Sequence, residues 1–332
     1  MWRTCAAALA AVVAAPCLAG AQAGPADFYA GKQIKMICSS DVGGGYDVYS
    51  RLFARHLSKH LPGRPLVVSS NMPGAAGVTA ASYLAHSAAR NGTELLMVVQ
   101  TLPMVQVTQG AKARFDLSAF HWIGNMDESA NVFVASRQSN IRTFADVMTQ
   151  ELVVGSTSPN AIGGILPEAA NRILGAKFKI IHGYKSGEAI EIAMQRGEVS
   201  GRAGASWSAM KALRGSNLRT EEINVLLQAG NRKEPDLMDV PLMTDLARNE
   251  SERAALAFYS GMTALSRAIA TTPETPKERV DLLRKAFDEV LADEDLLAEA
   301  RKNNLEIRPL SGAALQTLIT RMLSVERALI VP

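Results

Sequence analysis

Three consecutive glycines, Gly43-Gly44-Gly45, stand between two runs of different periodicity. Before them, Gln33 to Cys38 carries Ile34, Met36 and Ile37 and reads as a short buried strand. After them, Tyr49, Leu52, Phe53, His56 and Leu57 recur at helical spacing, with Arg51, Arg55 and Lys59 on the other side. The glycines therefore fall where a strand hands over to a helix. Glycine permits a sharp turn there and close approach of a ligand to the backbone. The helix start offers unpaired N–H groups and a partial positive charge, which together suit an anion. Taken alone, the run is equally an ordinary tight turn.

The pattern recurs. Leu66-Val67-Val68 leads into Ser69 to Gly77 and then an Ala-rich helix, with Asn71 placed to cap and small residues leaving the loop open. Asn91-Gly92-Thr93 is a turn before a strand over Leu95 to Val99, which ends in Gln100-Thr101. This β–α–β–α–β order predicts an α/β protein with a mainly parallel sheet covered by helices on both faces. In such sheets ligands sit beyond the carboxyl ends of the strands. The loops at 39–47, 70–77 and 100–101 all leave those ends.

A second unit starts near Phe120 and repeats the same order. Strands are expected at Val132 to Ala135, Leu152 to Gly155, Phe178 to Ile181, around Val199, and at Val225 to Ala229. Their exits are rich in hydroxyls and glycine: Ser156-Thr157-Ser158-Pro159-Asn160, His182-Gly183-Tyr184-Lys185, and Gly201-Arg202-Ala203-Gly204-Ala205-Ser206-Trp207. One intervening helix presents Leu166, Ala169, Ala170, Ile173 and Leu174 and closes at Gly175. The tail is helical. Thr275-Pro276-Lys277-Glu278 reads as a capping box with proline at the first helical position, ahead of Leu283, Ala286, Phe287, Val290 and Leu291. A last helix carries Leu315, Leu318, Ile319, Met322 and Leu323.

Met1 to Ala23 has the form of a secretory signal peptide: Arg3, an apolar run over Ala6 to Ala15, and the cleavage signal Ala21-Gln22-Ala23. The mature chain is expected to begin at Gly24, exported and without a membrane anchor. It then keeps Cys38 as its sole cysteine, which rules out an internal disulfide and reads as a buried, inert thiol. A formal net charge of +3, with no basic stripe interleaved with aromatics, gives no sign of nucleic acid. The five histidines show no metal-ligand spacing, and no metal or cofactor is expected. No nucleophile elbow, P-loop or dinucleotide fingerprint occurs. Asp47 and His56 could form an acid/base pair, but His56 lies on the apolar stripe and Asp47 beside the helix start, which favours packing and loop ordering.

As a set, the segments Val42-Gly43-Gly44-Gly45-Tyr46-Asp47, Ala54-Arg55-His56-Leu57, Leu61-Pro62-Gly63, Asn71-Met72-Pro73-Gly74-Ala75-Ala76-Gly77 and Asn91-Gly92-Thr93 are specific. With Gly183-Tyr184-Lys185, Arg196-Gly197-Glu198-Val199 and Asp239-Val240-Pro241 after them, the chain resembles the Bug family. These are the extracytoplasmic solute receptors of tripartite tricarboxylate transporters. The resemblance covers the mature chain and is strongest over residues 30–105. It departs at Asp41-Val42, where the family usually has a proline, at Ser156 to Asn160, often Gly-rich in the family, and at Gly201-Arg202.

The resemblance implies a two-lobed periplasmic-binding-protein fold of the type II kind, with two mixed sheets flanked by helices and a cleft between them. Lobe one is expected over 24–105 plus 245–332, and lobe two over 106–244. It implies a periplasmic, monomeric, non-enzymatic receptor that captures a small organic carboxylate and passes it to membrane permease subunits. The carboxylate's identity stays open. Two alternatives also stay open: a ligand-sensing receptor that presents its closed form to a signalling partner, and a periplasmic enzyme. The expected binding residues are Gly43, Gly44, Gly45, Tyr46 and Asp47 in the first loop, and Asn71, Gly74, Ala75 and Gly77 in the second. Thr101, Ser156, Thr157, Ser158, Tyr184, Arg202, Ser206 and Trp207 complete the set. Arg202 is expected either to grip a second ligand carboxylate across the cleft or to pair with an acid such as Glu198.

Overall fold

In the computed structural model, residues 28–214 and 222–330 are described, so the leader expected over 1–23 lies outside them. Two central strands of the first half bury apolar residues on both faces, and the packing shows why. Strand β1, Gln33–Cys38, sends Ile34 and Met36 to one side and Ile37 to the other. β3, Glu94–Met97, sends Leu95 and Met97 to the first side and Leu96 to the second. Both faces are covered by helices, as a parallel core requires.

The first side is covered by α1 (Gly45–Leu57) and, from the tail, α9 (Lys277–Leu291) and α10 (Glu294–Lys302). Tyr49, Leu52, Phe53 and Leu57 of α1 meet Leu283, Ala286, Phe287 and Val290 of α9 in one apolar cluster. The second side takes α2 (Val78–His86) and α11 (Gly312–Leu323). The expected capping box at Thr275 does not form. Pro276 itself is the N-cap, and the Thr275 hydroxyl is held 2.8 Å from that of Thr272.

Six strands make the first sheet, in the order β11-β4-β10-β3-β1-β2. β2 (Leu66–Asn71), β1 and β3 are parallel. β10 (Ala268–Thr271), β4 (His121–Asn125) and β11 (Leu310–Ser311) run antiparallel in turn. β4 belongs to this sheet although it lies inside 106–244, so the chain leaves the first sheet only after Asn125. Its Gly124 is overlaid by the Phe287 ring, which leaves no room for a side chain.

The second sheet has the order β7-β6-β8-β5-β9. β6 (Leu152–Ser156), β7 (Phe178–His182) and β8 (Gly201–Ser206) are parallel. β5 (Asn131–Ser136) runs antiparallel to both of its neighbours, β8 and β9 (Ile223–Ala229). On β5, Phe133 and Ala135 face α5 (Ile162–Ala169), while Val132 and Val134 face α6 (Gly187–Gln195) and α7 (Trp207–Arg214). The strand expected around Val199 is β8, two residues further on. Gly201 and Gly204 read as loop residues, yet they sit mid-sheet because β5 and α5 crowd them. A Cβ on Gly201 would meet Val134 O at 2.5 Å, and one on Gly204 would meet Ile162 O at 2.8 Å. The sheets are mixed, as the resemblance implied.

Where the chain crosses between sheets, a buried ion cluster ties the crossing to the tail. Asp127 and Glu234 are only 1% and 2% exposed. Arg308 bonds both, with Nε 3.2 Å from Asp127 Oδ1. Ser208 Oγ donates to Asp127 Oδ2 at 2.7 Å, and Glu234 accepts the Ala130 N–H at 2.6 Å. Among the described residues no helix is long and apolar enough to cross a membrane.

Candidate functional site

The first glycine loop is held by a carboxylate of its own. Asp47 Oδ2 accepts the Gly43 N–H at 2.9 Å, and Arg51 Nε donates to both Asp47 oxygens at 2.9 and 3.0 Å. Asn71 Nδ2 donates to Asp47 Oδ1 at 2.9 Å and to Ser40 O at 3.0 Å, while its Oδ1 accepts from Arg51 at 2.8 Å. Asp47 and Asn71, both expected at the ligand, thus spend their polar atoms on each other and on Arg51. Burial pushes the Asp47 carboxyl up, but the bonds from Arg51, Gly43 and Asn71 outweigh it and hold the group below the ordinary carboxylate value. Asn71 ends β2 and caps no helix.

Gly44 caps α1 and Gly45 opens it, so the first-turn N–H groups, which no intrahelical carbonyl reaches, surround these exposed residues. The Tyr46 hydroxyl accepts the Gln100 N–H at 3.2 Å, tying this turn to the exit of β3. Beneath Gly45 lies Arg267, which directly precedes β10. Its guanidinium carbon is 4.9 Å from the Tyr46 ring centre and 4.7 Å from that of Tyr49.

The second loop turns left-handed. Gly74, Ala75, Ala76 and Gly77 have φ of 137°, 46°, 54° and 90°, a run that L-residues adopt only under strain. Gly74 O accepts the Gly77 N–H at 2.9 Å, and α2 begins directly after. A side chain on Gly77 would strike Val99.

The second loop faces its counterparts from the second sheet across a cavity of about 780 Å³, whereas Gly43, Gly44, Gly45, Tyr46 and Asp47 of the first loop do not line it. Its wall includes Ala75, Ala76 and Thr101 from the first sheet's exits and Ser158, Pro159 and Asn160 from the exit of β6. Met104 and Val105 of α3 (Leu102–Gln109) and Ile165 of α5 give it an apolar stretch. Further along stand Glu168, Arg172 and Tyr259, the last on α8 (Glu250–Gly261). Arg172 lies in a π turn, Ala170–Leu174, that continues α5. It donates to the Tyr259 hydroxyl at 2.8 Å and to Ile330 O at 2.7 Å, where α12 (Arg327–Ile330) ends.

The structure thus brings Ala75, Thr101 and Ser158 to one cavity and disperses several other candidates. Ser156 is buried and donates to Ser158 O at 2.9 Å, shaping the loop from below. Thr157 is exposed, and Tyr184 packs over Gly155. Arg202 lies within β8, not in a loop after a strand. It pairs with Glu191 of α6 at 3.0 Å and lies over Gly187, so its partner is neither Glu198 nor open space. Trp207 is 2% exposed, and its indole N–H goes to Asp236 at 2.9 Å. Ser206 Oγ is 3.0 Å from Ser208 Oγ at the start of α7. His56 is not simply packed among apolar groups; its Nε2 meets Glu299 Oε2 at 2.9 Å. Cys38 is buried, as expected, and burial raises its thiol.

The sequence reading missed Ala76, the α3 and α5 wall residues, Tyr259, Arg172 and Arg267. Helical apolar residues look alike whether they face a core or a cavity. The one available signal was Arg267, a single cation between Leu265 and the apolar run Ala268-Ile269-Ala270.

No family model and no curated protein matches the chain. Solved structures do. A TctC solute-binding protein from Polaromonas is 18% identical over 91% of this chain and 98% of its own, with a TM-score of 0.69. MatC from Rhodopseudomonas palustris, solved with bound malate, is 17% identical over 90% and 98%, with a TM-score of 0.63. The periplasmic binding protein BugD is 17% identical over 91% and 97%, with a TM-score of 0.60. At these identities the likeness speaks to architecture, and the chain has the fold of the TctC and Bug periplasmic solute-binding proteins.

Proposed function

We propose that the protein is a periplasmic receptor that captures a small organic carboxylate and delivers it to membrane permease subunits of the tripartite tricarboxylate kind. The observation that carries this reading is the cavity walled by strand-exit loops of both sheets. In this reading each sheet is the core of a lobe, and the lobes close on the ligand as a monomeric clamshell. The first lobe takes in β4 and the helical tail, and the second runs from β5 to the segment after β9. Backbone N–H groups at the starts of α1 and α2 supply the anion's hydrogen bonds, directly or through water. A ligand shifts such an equilibrium only by binding the closed form better than the open one, which contacts from both sheets achieve. The fold of MatC, which holds malate, supports the ligand class. The reading is of a binder, with no turnover.

The test is a thermal-shift and calorimetric screen of malate, succinate, adipate, citrate and benzoate. Binding at 100 times Kd raises stability by about 2.7 kcal/mol. At least one carboxylate should raise the melting temperature and remain chemically unchanged. No shift with any of them, or consumption of the bound compound, would overturn the reading.

A further inference from the structure

The Arg267 side chain is nine-tenths buried, with 9% of the residue exposed. A guanidinium carries five N–H donors and no acceptor. Nη1 donates to Ser266 O at 2.5 Å, while Nε has no hydrogen-bond partner. The Tyr46 and Tyr49 rings both pack against the guanidinium. The backbone on either side is fixed: Arg267 N donates to Asn125 Oδ1 at 2.8 Å, and Arg267 O accepts from Met126. Asp127 is near enough to feel the charge, but its carboxylate is already engaged by Arg308 and Ser208. Burying a cation without a matched anion is costly. The guanidinium edge that carries Nη2 lies against Gly45, where a Cβ would stand 3.0 Å from Nη2. Gly45 opens the 13-residue helix α1. An unsatisfied guanidinium edge and the positive end of a helix therefore converge on one spot. Nearby, the Gly43 N–H is already taken by Asp47.

We propose that Arg267 and the first turn of α1 form a two-sided anion seat, and that Arg267 is the cation that selects a carboxylate at that end of the ligand. The inference rests on the receptor reading and deepens it. Arginine presents its N–H groups as a fork that matches the two oxygens of a carboxylate, so the contact is geometric as well as charged. The tyrosines pack against the fork and help to shield it from water. Gly45 lacks a side chain because one there would close the seat. The Tyr46–Gln100 bond ties the seat to the residue that precedes Thr101 of the cavity wall.

Calorimetry on the purified chain tests this, using whichever of malate, succinate, adipate, citrate and benzoate binds the wild type most tightly. Arg267→Met should weaken binding at least thirtyfold. Arg267→Lys should recover only part, since an ammonium cannot grip both oxygens. Gly45→Ala keeps the guanidinium but sets a methyl 3.0 Å from Nη2, and should weaken binding at least tenfold with a melting temperature near that of wild type. Affinities within threefold of wild type for Arg267→Met would overturn the proposal. If that variant does not fold, Gly45→Ala decides, and wild-type affinity there overturns it. Binding of none of the five compounds by the wild type overturns the receptor reading, and this inference with it. Binding by the wild type that both substitutions leave unchanged overturns this inference alone.

Discussion

Replacing Arg308 by methionine isolates the cluster at the sheet crossing. Arg308 holds two acids that are almost fully buried, Asp127 and Glu234, and also lies 3.3 Å from Glu306. Removing one partner of a buried ion pair costs about 3–5 kcal/mol, because the other charge is left uncompensated. Arg308 is 23% exposed, so water can partly replace it, and the lower end, about 3 kcal/mol, is expected. In a chain of this size that lowers the melting temperature by roughly 5–8 °C. The pH dependence has a definite sign. Burial pushes the Asp127 carboxyl above its ordinary value, although Arg308 and Ser208 pull against it. A group whose folded pKa is raised contributes stability that is complete below its unfolded value, about 3.9, and is lost as pH rises through the folded value. Arg308→Met removes a downward pull and raises that folded value further. Its deficit against wild type should thus be full at pH 7 and shrink as pH falls toward 4. Urea unfolding at pH 7, 6 and 5 measures this, with Arg308→Met/Asp127→Asn expected to regain part of the loss. A deficit below about 1 kcal/mol at pH 7, or one equal at pH 5 and 7, would refute the account of Asp127 as a charge compensated by Arg308.

Two further outcomes concern the loops. Asp47→Asn should cost about 2 kcal/mol at neutral pH, since Gly43 and Arg51 lose a charged acceptor. Because the Asp47 carboxyl is held low in the fold, that stability is present above its unfolded value and is lost as pH falls below it. The gap in urea midpoint between variant and wild type should therefore narrow as pH falls below the unfolded value, about 3.9, and a gap that widens there would count against the charge. Gly74→Ala should cost about 1–3 kcal/mol, with φ at 137° and Thr79 Oγ1 2.6 Å from the new Cβ, whereas Gly44→Ala, with φ at −75°, should stay within about 0.5 kcal/mol. Equal melting temperatures for the two alanine variants would remove the strain argument.

Much of the architecture was legible because it is local. The run Gln33 to Cys38, the α1 stripe of Tyr49, Leu52, Phe53 and Leu57, and the α9 stripe of Leu283, Ala286, Phe287 and Val290 carry their periodicity in consecutive residues, and each buries as that periodicity predicts. Glycines at strand exits likewise marked both first-sheet loops, since a backbone at positive φ leaves few other residues to choose. β8 was shifted because its glycines answer to distant neighbours, Val134 and Ile162, and not to a turn. β4, β10 and β11 were missed because partners far along the chain hold them. The site was divided in the same way. That anion-friendly loops exist is a property of residues 39–47 and 70–77. Which side chains remain free is not: Asp47 and Asn71 are consumed by Arg51, Arg202 by Glu191, and Trp207 by Asp236, four to 29 residues away in sequence. Arg267 reaches Gly45 from 222 positions along the chain, and only the packing of β10 beside β3, with α1 above them, puts that guanidinium beneath the glycine. Side-chain type fixes what a residue can bond, and tertiary packing decides whether that capacity is already spent.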